Sequence, residues 1–329
     1  MKNFISILIL TTMLLPSLQS CNDKEPEQPP VETNYRNLMR TFVKDISKYA
    51  KNIKPGFAVI PQNGIELVTV EDDFTDYPET DYLSAIDGLG QEDLFFGYDN
   101  DDEATPAETT NYLIHFLDIA KQNSVTVLVT DYCSTHSKMD ESYTKNSEKN
   151  YISFAADHRE LDNIPGYPST PVNVNNEIIT GLSQIRNFLY LINPSQFSSK
   201  QEFINAVSST NYDLIIMDCF FNDDIFTPGE IEQLRHKSNG GKRLVISYMS
   251  IGEAENYRYY WNDSWLTHPP DWLKEENPDW EGNYKVAYWD KEWQDIIFGN
   301  DESYLQKILD AGFDGVYLDI IDAFEYFEQ

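Results

Sequence analysis

The side chains of this sequence best suited to bond-breaking chemistry are carboxylates, and they recur at the ends of short apolar runs. Residues 312–324 read Gly-Phe-Asp-Gly-Val-Tyr-Leu-Asp-Ile-Ile-Asp-Ala-Phe, where Phe313, Val316 and Leu318 make a two-sided apolar strand that runs into Asp319 and Asp322. Similar runs end in Gln62 and Asn63, Glu92, Asp131, Asn193, Asp218 and Glu253, while the whole chain holds only 5 histidines. Glycoside hydrolysis needs one carboxylic acid to protonate a leaving oxygen and one carboxylate to attack or stabilise an oxocarbenium-like centre. Mg or Ca would take the same oxygen donors. Helix N-caps also favour Asp, so no single strand-end carboxylate decides the matter.

The aromatic residues narrow the choice. All six tryptophans, Trp261, Trp265, Trp272, Trp280, Trp289 and Trp293, follow Glu253 in one stretch, interleaved with Tyr257, Tyr259, Tyr260, Tyr284 and Tyr288. Aromatic faces pack on the apolar faces of sugar rings and hold cationic groups. About half of these rings are expected to form local core, leaving the others free to line a sugar site.

Carboxylates converge only if the backbone brings strand ends to one face. Leu38, Met39, Phe42, Val43, Ile46 and Ala50 recur at helical spacing, as do Tyr112, Leu113, Phe116, Leu117 and Ala120. Ser199 with Glu202 and Thr227 with Glu230 have capping-box spacing, and Gly312 closes the helix before the last strand. Strands are expected near residues 57, 85, 126, 188, 214, 245, 286 and 315, most of them separated by helical patterns. Residues 151–156 read as a further short strand. That alternation predicts an α/β fold, a (β/α)8 TIM barrel, in which chemistry sits at the carboxyl ends of the strands. Gly88 and Gly90 predict close backbone approach in the second strand. No glycine-rich phosphate loop follows any strand, so no nucleotide cofactor is expected.

The formal charge of −31, from 24 Lys and Arg against 55 Asp and Glu, argues against nucleic acid and favours a neutral or cationic partner. The runs Glu71-Asp72-Asp73 and Asp99-Asn100-Asp101-Asp102-Glu103 lack the spacing of a calcium loop and read as solvated, so no metal is expected. Residues 1–20 carry one early lysine and an apolar run too short to span a bilayer, which reads as a signal peptide. Leu18-Gln19-Ser20-Cys21 resembles a lipobox, which implies lipidation at Cys21 and a Pro-rich acidic tether over 21–34. The implied location is the outer membrane, at the cell surface or on its periplasmic face, with the membrane contacted through Cys21. Cys133 and Cys219 read as buried thiols. Residues 163–177 carry three prolines and little periodicity, so 35–329 reads as one domain, monomeric, with an internal linker.

Three motifs carry a family likeness: Ser250-Ile251-Gly252-Glu253-Ala254-Glu255 with Tyr257-Arg258-Tyr259-Tyr260-Trp261, then residues 283–290, then residues 312–322. Together they resemble glycoside hydrolase family 114, a TIM-barrel family similar to endo-α-1,4-polygalactosaminidases. The order of segments differs from that family. The stretch resembling residues 38–63, and onward to Glu92 and Asp131, stands first here and after the Gly-Phe-Asp-Gly strand there. A circular permutation, with the family's start near residue 178 and its end near residue 167, accounts for the difference.

The resemblance implies Asp319 as nucleophile and Glu92 as general acid/base in a retaining mechanism. It implies substrate contacts from Asp218, Glu253, Asp322, Asn63, Asp131, Tyr248, Tyr257, Arg258, Trp261 and Trp289. The expected substrate is an α-linked polysaccharide or oligosaccharide, with galactosamine-containing polymers among the candidates. A non-catalytic carbohydrate-binding lipoprotein on a degenerate barrel is the alternative, and a metal-dependent hydrolase a third reading.

Overall fold

The structure, a computed structural model, describes residues 33–70 and 77–328. Cys21, the leader, most of the tether and the run Glu71-Asp72-Asp73 lie outside the described residues.

In chain order the elements are α1 (Tyr35–Ile53), β1 (Ala58–Pro61), α2 (Thr80–Ala85), β2 (Gly88–Glu92), α3 (Ala107–Gln122), β3 (Thr126–Tyr132), α4 (His136–Glu148) and β4 (Ile152–Ala156). Then come β5 (Leu189–Tyr190), α5 (Lys200–Ser208), β6 (Leu214–Asp218), the hairpin β7 (Phe220–Phe221) and β8 (Asp224–Ile225), and α6 (Pro228–Leu234). The last part holds β9 (Leu244–Ser250), β10 (Glu253–Glu255), β11 (Leu273–Glu276), β12 (Asn283–Val286), α7 (Lys291–Ile297), α8 (Tyr304–Ala311), β13 (Gly315–Asp319) and α9 (Phe324–Phe327).

The helices start and stop where local chemistry directs. The side chain of Asn34 accepts the Asn37 N–H at the head of α1, whose buried stripe is Met39, Phe42, Val43, Ile46 and Ala50. At α6, Thr227 and Glu230 exchange both capping-box bonds. At α5 only half of the expected box forms: Ser199 accepts the Glu202 N–H, but the Glu202 carboxylate turns to the N–H and hydroxyl of Ser198. Gly312 closes α8 at φ +93°, a conformation that costs a residue with a Cβ.

Among the described residues eight strands pair in parallel, as two sheets. One has the order β1-β13-β9-β6-β5 and the other β2-β3-β4. The strand from the head of the described chain lies beside the last one, with Val59 opposite Val316 and Ile60 opposite Tyr317. Between β1 and β2 the sheets touch through a parallel bridge, Gln62 to Gly90, and through the Asp87 N–H on the Val59 carbonyl at 2.9 Å. No ladder joins β4 to β5 among the described residues. The fold is mixed α/β with parallel sheets.

Two expectations need correction. Residues 283–286 are not one of the parallel strands: β12 is the middle of an antiparallel meander, β10-β12-β11, and most of it is only partly buried. The eighth parallel strand is instead β4, whose last three residues are buried. Residues 80–85 are helical, and the second strand begins later, at Gly88. Its glycines meet a close neighbour as expected, because a Cβ on Gly90 would overlap the Tyr317 hydroxyl and one on Gly88 would crowd Ile60. Residues 163–177 form neither helix nor strand. Cys133 and Cys219 are buried free thiols, as read from their isolation.

Candidate active site

Alternation along β13 sends Gly315, Tyr317 and Asp319 to one face and Val316 and Leu318 to the other. In register with Tyr317, on β9, stands Tyr248, whose hydroxyl donates to Asp319 Oδ2 at 2.6 Å. The other carboxylate oxygen accepts the N–H of Ile320 at 2.8 Å. Ile320 pays for that bond with φ +59°, a left-handed conformation rare for a β-branched residue. Gly252 leaves room for this turn, since a Cβ there would overlap the Ile320 carbonyl oxygen. Burial, and next the negative charge of Glu92, push the Asp319 carboxyl up to about 7 against the two hydrogen bonds that lower it.

Glu92 ends β2 on the other sheet. Its Oε2 accepts Gln62 Nε2 at 2.5 Å and Asn63 Nδ2 at 3.3 Å, and its Oε1 accepts the Tyr132 hydroxyl. The orientation of the Gln62 amide is set from behind, because Tyr190 donates its hydroxyl to Gln62 Oε1 at 2.8 Å. Asn63 also accepts the Glu92 N–H at 3.2 Å, so it fixes backbone and side chain together. The Arg159 guanidinium lies 4.2 Å over the Tyr132 ring and binds Asp93 at 2.8 Å, which braces the far side. Tyr317 stands edge-on to Tyr190 at 5.3 Å, and its buried hydroxyl has no hydrogen-bond partner among the described residues.

The structure thus brings Asp319 and Glu92, with Asn63 and Tyr248, into one tyrosine-lined site. Tyr132, Tyr190 and Tyr317 belong to it and were not singled out from the sequence. Tyr132 had a readable signal: it follows Asp131 at the end of a buried strand, and alternation puts only one of the two on the inner face.

Asp131 is on the other face. Fully buried, it accepts the N–H groups of Phe95 and Phe96 on Oδ1, and Ser142 Oγ at 2.6 Å and Asn146 Nδ2 at 3.1 Å on Oδ2. It fastens the loop after β2 to α4, and it has no acceptor left for a sugar. This corrects its expected role.

Asp218 and Arg258 are spent on each other. Arg258 donates to Asp218 Oδ2 at 2.6 Å and to Glu255 Oε2 at 2.5 Å, and Tyr257 adds a hydroxyl to Glu255 Oε1 at 2.6 Å. The guanidinium lies against the rings of Tyr257 and Tyr304. Burial raises the Asp218 carboxyl and Arg258 opposes it. Arg258 braces the site wall and is not open to substrate; Glu255, its second anion, was missed. Glu253 is buried too: Oε1 accepts Asn277 Nδ2 at 2.8 Å with Lys285 at 3.5 Å, while Oε2 has no partner among the described residues. Asp322 is partly exposed; burial, then the charge of Glu325, push its carboxyl to about 7.

The tryptophans divide. Trp272 and Trp293 are core. Trp289 packs among Tyr35, Tyr288 and Phe327, where the first helix meets the last, and so is not placed for substrate. Trp261 stacks near Trp265 and Tyr284 at 5.2 and 5.0 Å. Tyr284 lies opposite Ala254, so this cluster is on the other face of the meander from Glu253 and Glu255. The expected substrate contacts of Trp261 and Trp289 are thus corrected, the first by the face it occupies and the second by its packing between the helices. Tyr257 and Trp280 are the aromatic rings left open near the acidic groups, at 57% and 59% exposure. The turn carrying Trp280 is pinned by Asn277 on Glu253 and by the Asn256 N–H on the Gly282 carbonyl.

Residues 192–329 match the model described as glycoside-hydrolase family GH114. The matched stretch is less than half of the 329-residue chain. The matched stretch carries Asp218, Glu253, Arg258, Asp319 and Asp322, whereas Glu92 lies before it. The chain is 41% identical over 184 residues to an uncharacterized protein of Methanocaldococcus jannaschii, covering 54% of this chain and 49% of that one. It is 42% identical over 125 residues to an uncharacterized protein of Thermotoga maritima, covering 37% of this chain and 36% of that one. Over 122 residues it is 43% identical to an uncharacterized protein of Deinococcus radiodurans, with 37% of each chain covered. The chain therefore spans about half or less of the length of these relatives. No helix among the described residues is long and apolar enough to cross a membrane.

Proposed function

We propose that this protein is a retaining glycoside hydrolase acting on α-linked polysaccharide, with galactosamine-containing polymers the foremost candidates. The observation that carries the reading is the meeting of Asp319 and Glu92 at the carboxyl ends of β13 and β2, each held by a tyrosine hydroxyl. In the first step the Asp319 carboxylate attacks the anomeric carbon while Glu92 gives its proton to the leaving oxygen. Glu92 then takes a proton from water, which attacks the same carbon and releases Asp319. Asp319 must be ionised to attack, and its carboxyl is raised to about 7, so the empty site becomes competent as the pH rises through that value. The exposed rings of Tyr257 and Trp280 serve as sugar platforms, and Glu253 keeps one buried carboxylate oxygen without a partner among the described residues. A partly deacetylated, cationic substrate agrees with the charge of −31.

In this proposal the scaffold is a (β/α)8 barrel, closed where β1 meets β2 and where β4 lies beside β5, and circularly permuted relative to family 114. The parallel pairing of β1 with β13 supports the permutation, as does a family match that starts at residue 192 and runs to residue 329. The proposed location is the outer membrane, through a lipid on Cys21. The test is turnover of α-linked galactosamine polymers by Asp319→Asn and Glu92→Gln, with losses of about 10²–10⁴-fold expected for the acid/base variant. Unchanged turnover in both variants sinks the assignment. Substrate binding without turnover in the wild type would favour the non-catalytic alternative.

A further inference from the structure

A cleft lies at the opposite end of the strands from Asp319 and Glu92. It has a volume of about 300 Å³ and sits at the amino end of β4, beside the seam where β4 and β5 share no ladder among the described residues. Its walls come from α4 and the turn after it, from the start of β4, from the loop at 172–173 and from the residue entering β5. Ile152 and Ser153, which would be covered in a continuous sheet, are partly exposed here.

The lining mixes polar and apolar side chains. Ser147, Asn150, Ser153 and Asn173 carry hydroxyls and amides into it, and none of these four side chains makes a hydrogen bond to the described residues. Tyr143 accepts the Ala155 N–H at 3.2 Å, which leaves its own proton free to donate. Apolar surface comes from Ile152, Val172 and the Tyr151 ring.

The charge of the cleft runs against that of the chain. With 55 acidic residues against 24 basic ones, a random patch of surface would be acidic, yet no Asp or Glu lines this cleft and Arg186 does. Arg186 NH1 is oriented by the carbonyls of Ser183 and Ile185 at 3.5 and 3.2 Å, which leaves Nε and NH2 for a ligand. Behind the Tyr151 ring, the hydroxyl of that tyrosine donates to Asp118, and Asp118 is matched by two lysines, Lys121 at 3.0 Å and Lys149 at 3.6 Å. On the other side Asp213, which accepts the Arg186 backbone N–H at 2.8 Å, is paired with Lys237 at 2.8 Å, so both of these anions behind the cleft are matched by cations.

We infer that this cleft binds a small hydroxylated carboxylate, of the uronic acid type, with Arg186 taking the carboxylate and the serine and asparagine side chains taking the hydroxyls. A guanidinium meets a carboxylate with paired charge-assisted bonds that a neutral sugar cannot make. The site is separate from the proposed hydrolytic one and does not depend on it.

The test is titration of the full chain with glucuronic acid, glucose and glucosamine, followed by calorimetry and saturation-transfer NMR. Glucuronic acid is expected to bind, and glucose and glucosamine at least about tenfold more weakly, the difference that one charge-assisted contact makes. Arg186→Gln should lose about tenfold or more for glucuronic acid. Asn173→Trp, which fills the cleft from an exposed loop, should abolish binding, and Asp319→Asn should leave it unchanged. Circular dichroism checks that each variant is folded. Equal binding of glucose, no binding of glucuronic acid, or binding indifferent to both cleft variants overturns the inference.

Discussion

Replacing Tyr248 by Phe tests the proposed role of Asp319 most directly. The hydroxyl is one of two donors to this carboxylate, at 2.6 Å, and Phe keeps the ring that packs in register with Tyr317. A hydrogen bond to a charged group contributes about 1.5–3 kcal/mol, so its loss should raise the Asp319 pKa by about one to two pH units. The carboxyl starts at about 7, because burial and the charge of Glu92 outweigh the two donors. A nucleophile must be ionised, so kcat/KM of the wild type should fall as the pH drops below about 7, and this acid limb should move to higher pH in Tyr248→Phe. Above the new limb, the variant should recover most of its rate. The assay is kcat/KM against pH on a soluble α-linked galactosamine oligomer. An acid limb that stays in place, or moves down, refutes the reasoning. A rate that falls as the pH rises through 7 would instead make Asp319 the proton donor.

Three further outcomes follow from the same geometry. Asp319→Asn should stabilise the fold while removing activity: between the ordinary value of 3.8 and about 7 the unfolded chain is ionised and the folded one protonated, so wild-type stability declines over that window. The amide escapes a cost of roughly 2–4 kcal/mol above pH 7, and the melting-temperature gain should be larger at pH 8 than at pH 4; a gain independent of pH would contradict this. Gly90→Ala should destabilise by about 1–3 kcal/mol through overlap with the Tyr317 hydroxyl, and Tyr317→Phe, which removes a buried hydroxyl without a partner, should restore part of the loss in denaturant titrations of the double variant. Asp131→Ala should cost about 3 kcal/mol or more by orphaning the buried donors of Phe95 and Phe96, with KM unchanged in whatever protein remains folded.

Much of this molecule is legible in its sequence because burial leaves a local imprint. Two-sided apolar runs such as 214–217 and 244–249 read as parallel strands, helical stripes as covering helices, and Gly312 as a helix stop. Carboxylates that end such runs, Glu92 and Asp319 among them, follow from strand direction alone. What the sequence could not decide is which face each strand end presents and what stands opposite. Asp131 and Tyr132 are neighbours at the end of one strand, yet one faces α4 and the other faces Glu92. Arg258, expected to contact substrate, is taken up by Asp218, forty residues away, at 2.6 Å. The tryptophans share one stretch and separate into core, helix contact and open ring only when the meander folds. Periodicity records that a side chain is covered; it does not record by what. The pairing of β1 with β13, and the approach of Glu92 to Asp319 from separate sheets, are long-range contacts, and only the packed chain specifies them.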